Sequence, residues 1–427
     1  MWNFLQPLRG FFKLKDLRRR LIYTALFLAV FRLVSHIPVP GLKLDALKEI
    51  FAGSAFLSLL DLFSGGTLAN FSIMALGIGP YINSSIIFRL LTMIVPSLEE
   101  LSKEGEYGQE KINRYTRLLT LPLCLVQSFI IIMTLRQQSL TLANTPIELA
   151  QLIITLTAGT MFLIWLGEQI TQYGLGNGIS FIIFAGIVGR LPVSFAQTSV
   201  TVNQTQFSGL LIFLIISLIV VYMVIKTSEA IRPVPIQSAR RSSNPALSSS
   251  ANYLPIRLYQ DGFLPIIFAV SLMLVPNMLG RLFTGSQTQF LANMSVFFTL
   301  HLSPGSLVYN VLYFLLVVVF TYFYTTVVFN PEKIAQDLRQ AGSFIPGIRP
   351  GPATIQHLNF ILNRLTPVGA LFLGFIAIFP SIMSSLTGLD NLIIGGTSIL
   401  IVVSVVLELI RNLDSQLSMH DYDKFLK

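Results

Sequence analysis

Charge is scarce in this chain: Asp, Glu, Lys and Arg make up 11% of its 427 residues, against about 25% in soluble domains. So few charges cannot cover a surface that faces water all round. Cysteine occurs once, as Cys124 inside an apolar run, which excludes an internal disulfide and a thiol pair able to grip a metal. His36, His301, His357 and His420 are scattered, so no metal site is expected. The G-x-x-x-x-G-K-[ST], H-E-x-x-H and G-x-S-x-G patterns are missing as well. Neither an enzyme nor a cofactor is expected, and directional work would have to draw on a partner or an ion gradient. Ionisable residues inside apolar runs are few, namely Arg32, Arg89, Glu168 and Glu408. Each is costly at membrane depth, and a proton- or ion-coupled transporter ordinarily needs more of them.

Apolar sequence is abundant: 53% of residues are hydrophobic and the mean hydropathy is +0.70. Runs of about 20 such residues cross a bilayer as helices. Ten are found, near Leu21–Val39, Ile73–Val95, Leu118–Leu135, Leu149–Leu166, Ile179–Phe195, Leu210–Ile225, Phe263–Phe283, Leu307–Phe329, Val368–Leu386 and Leu392–Ile410. The fold class is therefore an all-α polytopic membrane protein with ten transmembrane helices. The basic-then-apolar start "RRRLIYTALFLAVF" imitates a secretory signal. Arg32 interrupts it, however, and "SHIPVPG" offers no small-residue cleavage site. Of 29 Lys and Arg residues, only Lys43, Lys48, Arg136, Arg190 and Arg281 fall on one side of the membrane, with Arg32 and Arg89 inside spans. The remainder gather on the other side. That bias predicts cytoplasmic termini, and it explains the net charge of +9 without nucleic acid.

The division expected is a cytoplasmic segment 1–20, helices one to five over 21–205, helices six to ten over 206–411, and a cytoplasmic tail 412–427. Two long basic loops, Lys226–Asp261 and Asn330–Arg364, carry most of the exposed sequence. Two sets of five helices have opposite orientation, which permits an inverted repeat with a site between the halves.

Three stretches call for an explanation beyond spanning. "AFLSLLDLFSGG" is too short to cross and carries Asp61 before the Gly65–Gly66 break. Irregular backbone at membrane depth survives only where it is buried in protein or lines a cavity, so this half-helix is expected to fold back into a pore mouth. The alternative is a short helix lying on the outer surface. In "ALGIGPYINSSII", Ile78 and Ile82 share a helix face. Ordinarily such a pair is packing; it also suits a hydrophobic constriction that excludes ions by dewetting. In "FIPGIRPG", Pro346, Gly347, Pro350 and Gly351 hold Arg349 at a rigid turn. An exposed loop arginine is usually a topology determinant, yet one presented rigidly is also suited to docking a partner.

Long segments then carry a resemblance along the whole chain: "IPVPG" at Ile37–Gly41, "FSGG" at Phe63–Gly66, "ALGIGPYINSSII" at Ala75–Ile87 and "GTMFLIWLGEQIT" at Gly159–Thr171. Further along come "GLGNGISFIIFAGIV" at Gly174–Val188, "FNPEKIAQDLRQAGSFIPGIRPG" at Phe329–Gly351, "RLTPVGALFL" at Arg364–Leu373 and "GGTSILIVV" at Gly395–Val403. In this order the chain resembles the SecY/Sec61α family of protein-conducting channels, in its bacterial form. The resemblance implies two inverted five-helix halves around a central pore, a plug half-helix and a lateral gate opening to lipid.

Carried over by position, it implies a pore ring of Ile78, Ile82, Ile183, Ile187, Ile267 and Ile401. The plug would be Ser58, Leu59, Leu60, Asp61, Leu62 and Phe63, and Asn83, Gln127 and Ser271 would line the gate. Arg349 matches the loop arginine that engages the motor ATPase SecA, and Arg240 and Arg241 lie where the family meets the motor or the ribosome. Small subunits SecE and SecG, secretory and membrane preproteins, and the lipid bilayer are the other implied partners. The implied location is the bacterial cytoplasmic membrane, with the thylakoid membrane as the alternative. Three departures stand out. Arg89 replaces a common Gln, "RPVPIQSARR" differs from the usual loop, and Pro367 is expected in the first turn of the ninth helix. The rival functions are an ion-coupled transporter of a small solute and a scaffold without a pore.

Overall fold

The computed structural model describes residues 15–40, 61, 64, 66–68, 70–137, 145–201, 207–238, 253–259, 263–283, 288–303, 306–387 and 396–425. Ten helices follow the ten apolar runs one for one: α1 (Lys15–Val34), α2 (Gly79–Ile94), α4 (Glu106–Gln137), α5 (Pro146–Tyr173), α6 (Gly178–Thr201), α7 (Phe207–Glu229), α8 (Leu264–Leu282), α10 (Leu307–Val328), α12 (Pro352–Thr387) and α13 (Gly396–Phe425). Between them lie α3 (Pro96–Lys103), α9 (Gln289–His301), α11 (Pro331–Gln340) and the strands β1 (Ile231–Pro235), β2 (Gln237–Ser238), β3 (Tyr253–Arg257) and β4 (Ser343–Phe344).

Local chemistry sets the helix ends. Thr145 and Glu148 form a reciprocal capping box with Pro146 in the first turn of α5. Ser306 accepts from the Tyr309 N–H at the start of α10, and Asn330 caps α11 through the N–H groups of Glu332 and Lys333. At Val95–Pro96 the chain bends by 102° into α3, because proline cannot continue the hydrogen-bond ladder.

Helix burial tells centre from rim. Ile266, Ile267, Phe268, Ala269 and Val270 are all buried, so α8 presents no lipid face there and lies at the centre of the bundle. In contrast, only 11% of the apolar window of α7 is buried, against 50% for α5. Within the first half, α4 and α5 pack through small polar side chains. The Ser128 and Thr157 hydroxyls lie 3.4 Å apart, beside the fully buried Cys124. Small residues let membrane helices approach closely where no hydrophobic force separates helix from lipid.

The halves, α1–α6 and α7–α13, meet along two seams. On one, α2 and α4 lie against α8; on the other, α6 lies against α13. This is the all-α architecture expected from the sequence.

Several local expectations need correction. Pro367 is not in a first turn: α12 starts at Pro352 and carries Pro367 in its interior. The stretch "IQHLNFILNR" looks like loop by hydropathy. It is an amphipathic helical extension whose Leu358 and Leu362, one turn apart, are buried. Asn330–Arg364 is thus largely helical, and Lys226–Asp261 contains a ribbon in which β1 pairs antiparallel with β3. Helix α2 starts at Gly79, not Ile73, after a series of turns with Phe71 at φ 41° and Gly77 at φ 60°. Helix α9, too short to span, lies between the seventh and eighth apolar runs.

Candidate functional site

All six ring isoleucines are buried in a single hydrophobic cluster. Ile78 precedes α2 at its N-cap and Ile82 lies one turn later, Ile183 and Ile187 share a face of α6, Ile267 is on α8 and Ile401 on α13. These are four of the five helices that form the two seams. The cluster therefore sits where the halves meet on both sides. Exposing any one of these Ile side chains to water costs about 1.5–3 kcal/mol unless another apolar group covers it.

Of the plug residues, Asp61 is described, and Ser58, Leu59, Leu60, Leu62 and Phe63 lie outside the described residues. Asp61 is fully buried and forms an ion pair with Arg190 of α6. The Ser64 hydroxyl donates to the Asp61 carbonyl (2.9 Å) and lies 3.3 Å from its carboxylate. Thr67 donates to the Met74 carbonyl (2.8 Å). This turn packs on Gly77, where a Cβ would fall 2.3 Å from the Ser64 Cα. A residue with a side chain would push the segment off the start of α2. The carboxylate that was awkward against lipid is thus enclosed by protein and held by a cation from a span.

Asn83 of α2, Gln127 of α4 and Ser271 of α8 line one cavity, together with Ser64 and the ring residue Ile82. The space open to the centres of water molecules is about 40 Å³, room for two or three waters. Polar side chains from both halves therefore converge on the first seam, next to Ile82 and the turn after Asp61.

Arg349 is exposed in a loop of defined shape. The Ile348 N–H donates to the Ile345 carbonyl at 3.0 Å across Pro346 and Gly347, and Gly347 has φ 80°. Proline followed by a left-handed glycine is the pattern of a type II turn. The Thr354 hydroxyl donates to the Arg349 carbonyl (3.1 Å). Beneath lies a small core of Val234, Ile256, Phe329, Ile345, Leu358 and Leu362. Pairing of β2 with β4 joins the two basic loops, through Gln237 opposite Phe344 and Ser238 opposite Ser343. Arg240 and Arg241 lie outside the described residues.

The charges inside spans find partners that the sequence did not identify. Arg117 of α4 bonds Glu168 of α5 at 3.0 Å. Arg32 of α1 packs so closely on α6 that a Cβ at Gly189 would fall 2.1 Å from its Nη2. Arg89 lies over the ring of Tyr324, 5.3 Å from the centroid. The only signal for these contacts was that each charge interrupts an apolar run.

A family model described as SecY matches residues 72–410. A protein translocase subunit SecY of Aquifex aeolicus is 40% identical over 433 residues, covering 98% of this chain and 99% of that protein. Among solved structures, one described as the structure of a protein conducting channel superposes with TM-score 0.62 at 18% identity, covering 93% of this chain and 91% of its own. The Sec61 chain of a canine ribosome-channel complex from the endoplasmic reticulum gives TM-score 0.60 at 17% identity, with the same coverage.

Proposed function

The chain belongs to the SecY family, and on that footing we propose which of its residues seal, gate and drive the pore. It is the pore-forming subunit of a protein-conducting channel in a membrane, and the small-solute transporter is set aside. Ile78, Ile82, Ile183, Ile187, Ile267 and Ile401 form the gasket. The observation that carries this is their burial in one cluster between two seams. Apolar, flexible side chains close around a chain of any sequence because they require no particular hydrogen bond. Residues 58–63 plug the outer side of the ring. Asn83, Gln127 and Ser271 line the lateral gate, where polar contacts of about 1 kcal/mol hold a seam that must also part.

Residues 1–20 and 412–427 face the cytoplasm, which the basic-residue bias supports, and the membrane is the bacterial inner membrane, which the bacterial relatives support. Helices one to five (21–205) and six to ten (206–411) are the moving halves. The channel has no catalytic activity of its own, so the energy comes from SecA or the ribosome. Arg349, on its braced turn, engages SecA, with Arg240 and Arg241 in the adjoining loop. SecE and SecG complete the membrane complex.

The test is ATP-dependent protease protection of a secretory precursor in liposomes that hold the channel, its small partners and SecA. Protection that requires ATP, and that falls in Arg349→Glu while insertion of an apolar segment persists, supports this assignment. Equal export by Arg349→Glu would remove Arg349 from the docking site.

A further inference from the structure

Arg89 belongs to neither the gasket, the plug nor the docking loops. It sits in the apolar stretch "SIIFRLL" of α2, where a cation is expensive unless something offsets its lost hydration. Its guanidinium carbon is 5.3 Å from the ring centroid of Tyr324, within the range of a cation–π contact. Tyr324 is 3% exposed, so the ring is largely desolvated. It is also held in place: Phe268 of α8 meets it edge-on with centroids 5.9 Å apart, and Phe320 braces Phe268 in the same manner at 6.0 Å. Phe268 is the neighbour of the ring residue Ile267.

The contact crosses between the halves. Arg89 belongs to α2, whereas Tyr324 belongs to α10. Parting α2 from α8 and α10, the motion that opens a path to lipid, draws the guanidinium off the ring. Resting on the channel function above, we propose that Arg89 and Tyr324 form a cation–π latch across the lateral gate that sets how apolar a segment must be to pass into the membrane. A segment entering the gate must cover the two surfaces well enough to offset the lost latch. Strongly apolar segments do so easily, so the latch discriminates among marginal ones.

The experiment uses full-length channel with its partner subunits in proteoliposomes and a series of test segments of increasing leucine content. It scores the ratio of inserted to translocated chains. Export of a strongly apolar signal by the wild type, in the same vesicles, tests the channel function separately. At the wild-type midpoint, Arg89→Gln and Tyr324→Leu should each raise the inserted ratio roughly two- to thirty-fold. The double variant should go no further than either alone, and Tyr324→Phe, which keeps the ring face, should match wild type. An unmoved midpoint in Arg89→Gln overturns the latch, as does additive behaviour in the double variant. Equal shifts in Tyr324→Phe and Tyr324→Leu would assign the effect to the hydroxyl instead, and overturn it too. Should Tyr324→Leu fail to accumulate, Arg89→Gln and Tyr324→Phe decide between the same outcomes.

Discussion

Replacing Arg190 by Gln should make the idle channel leak far more than replacing Asp61 by Asn, although each change breaks the same ion pair. The asymmetry follows from burial. The Asp61 side chain is 0% exposed and that of Arg190 is 33% exposed. Without its cation, Asp61 is left as a charge enclosed by protein, which costs about 3–5 kcal/mol in comparable buried pairs. At 1.4 kcal/mol per tenfold, the unseated plug gains at least about two orders of magnitude in population relative to the seated one. Asp61→Asn instead leaves an arginine that still reaches solvent and a side chain that can keep the Ser64 contact. Its cost is about 1 kcal/mol or less, a few-fold change. The double neutral variant should behave like Asp61→Asn, because no buried charge remains. The assay is ion conductance of purified channel in planar bilayers without substrate or motor. Equal leaks from the two single variants, or a larger one from Asp61→Asn, would refute the seating of the plug by this pair.

Other perturbations follow from the same geometry. Ile187→Asn places a polar group in the gasket and should raise idle conductance, whereas Ile187→Val should stay within a few-fold of wild type in the same bilayers. Leu358→Ala opens a cavity beneath the turn proposed to dock SecA at about 2–5 kcal/mol; on that proposal it should lower SecA-stimulated export and leave idle conductance unchanged. Gly347→Val forces a β-branched residue into φ 80°. SecA affinity, measured by titration on liposomes, should drop as in Arg349→Glu without any change of charge.

The spans were legible because twenty apolar residues in a row have few other uses, and five of the six isoleucines expected in the ring, all but Ile267, lie in long matching segments. What stayed hidden has a common cause: hydropathy reports what a residue avoids, not what it meets. Pro367 was misplaced because Gln356, His357 and Asn359 made the start of α12 look like loop, while Leu358 and Leu362 were answering to a core assembled from β1, β3, α12, Phe329 and Ile345. Asp61 was recognised as out of place against lipid, but Arg190, in a helix far along the chain, looked like one of a few stray far-side cations. Arg89 announced a cost without naming Tyr324, since pairing across halves leaves no local pattern.

Placing the constriction on the seam helices has a mechanical consequence. Ile78 and Ile82 stand on one side of the first seam and Ile267 on the other; Ile183 and Ile187 belong to one helix of the second seam and Ile401 to the other. Halves that part along α2 and α8 must widen the ring, because the ring's own residues ride on the separating surfaces. The cavity lined by Asn83, Gln127, Ser271, Ser64 and Ile82 sits on that same dividing line, touching the gate, the ring and the turn after Asp61 at once. With the roles proposed for these residues, an apolar segment wedged there would open the path to lipid, loosen the gasket and disturb the plug in one displacement. Closure reverses all three together, since the buried surface of the gasket regains its partners only when the seam is shut. On those proposed roles the channel needs no separate sensor for substrate, because the surface that meets an apolar segment would also be the surface that holds the pore closed.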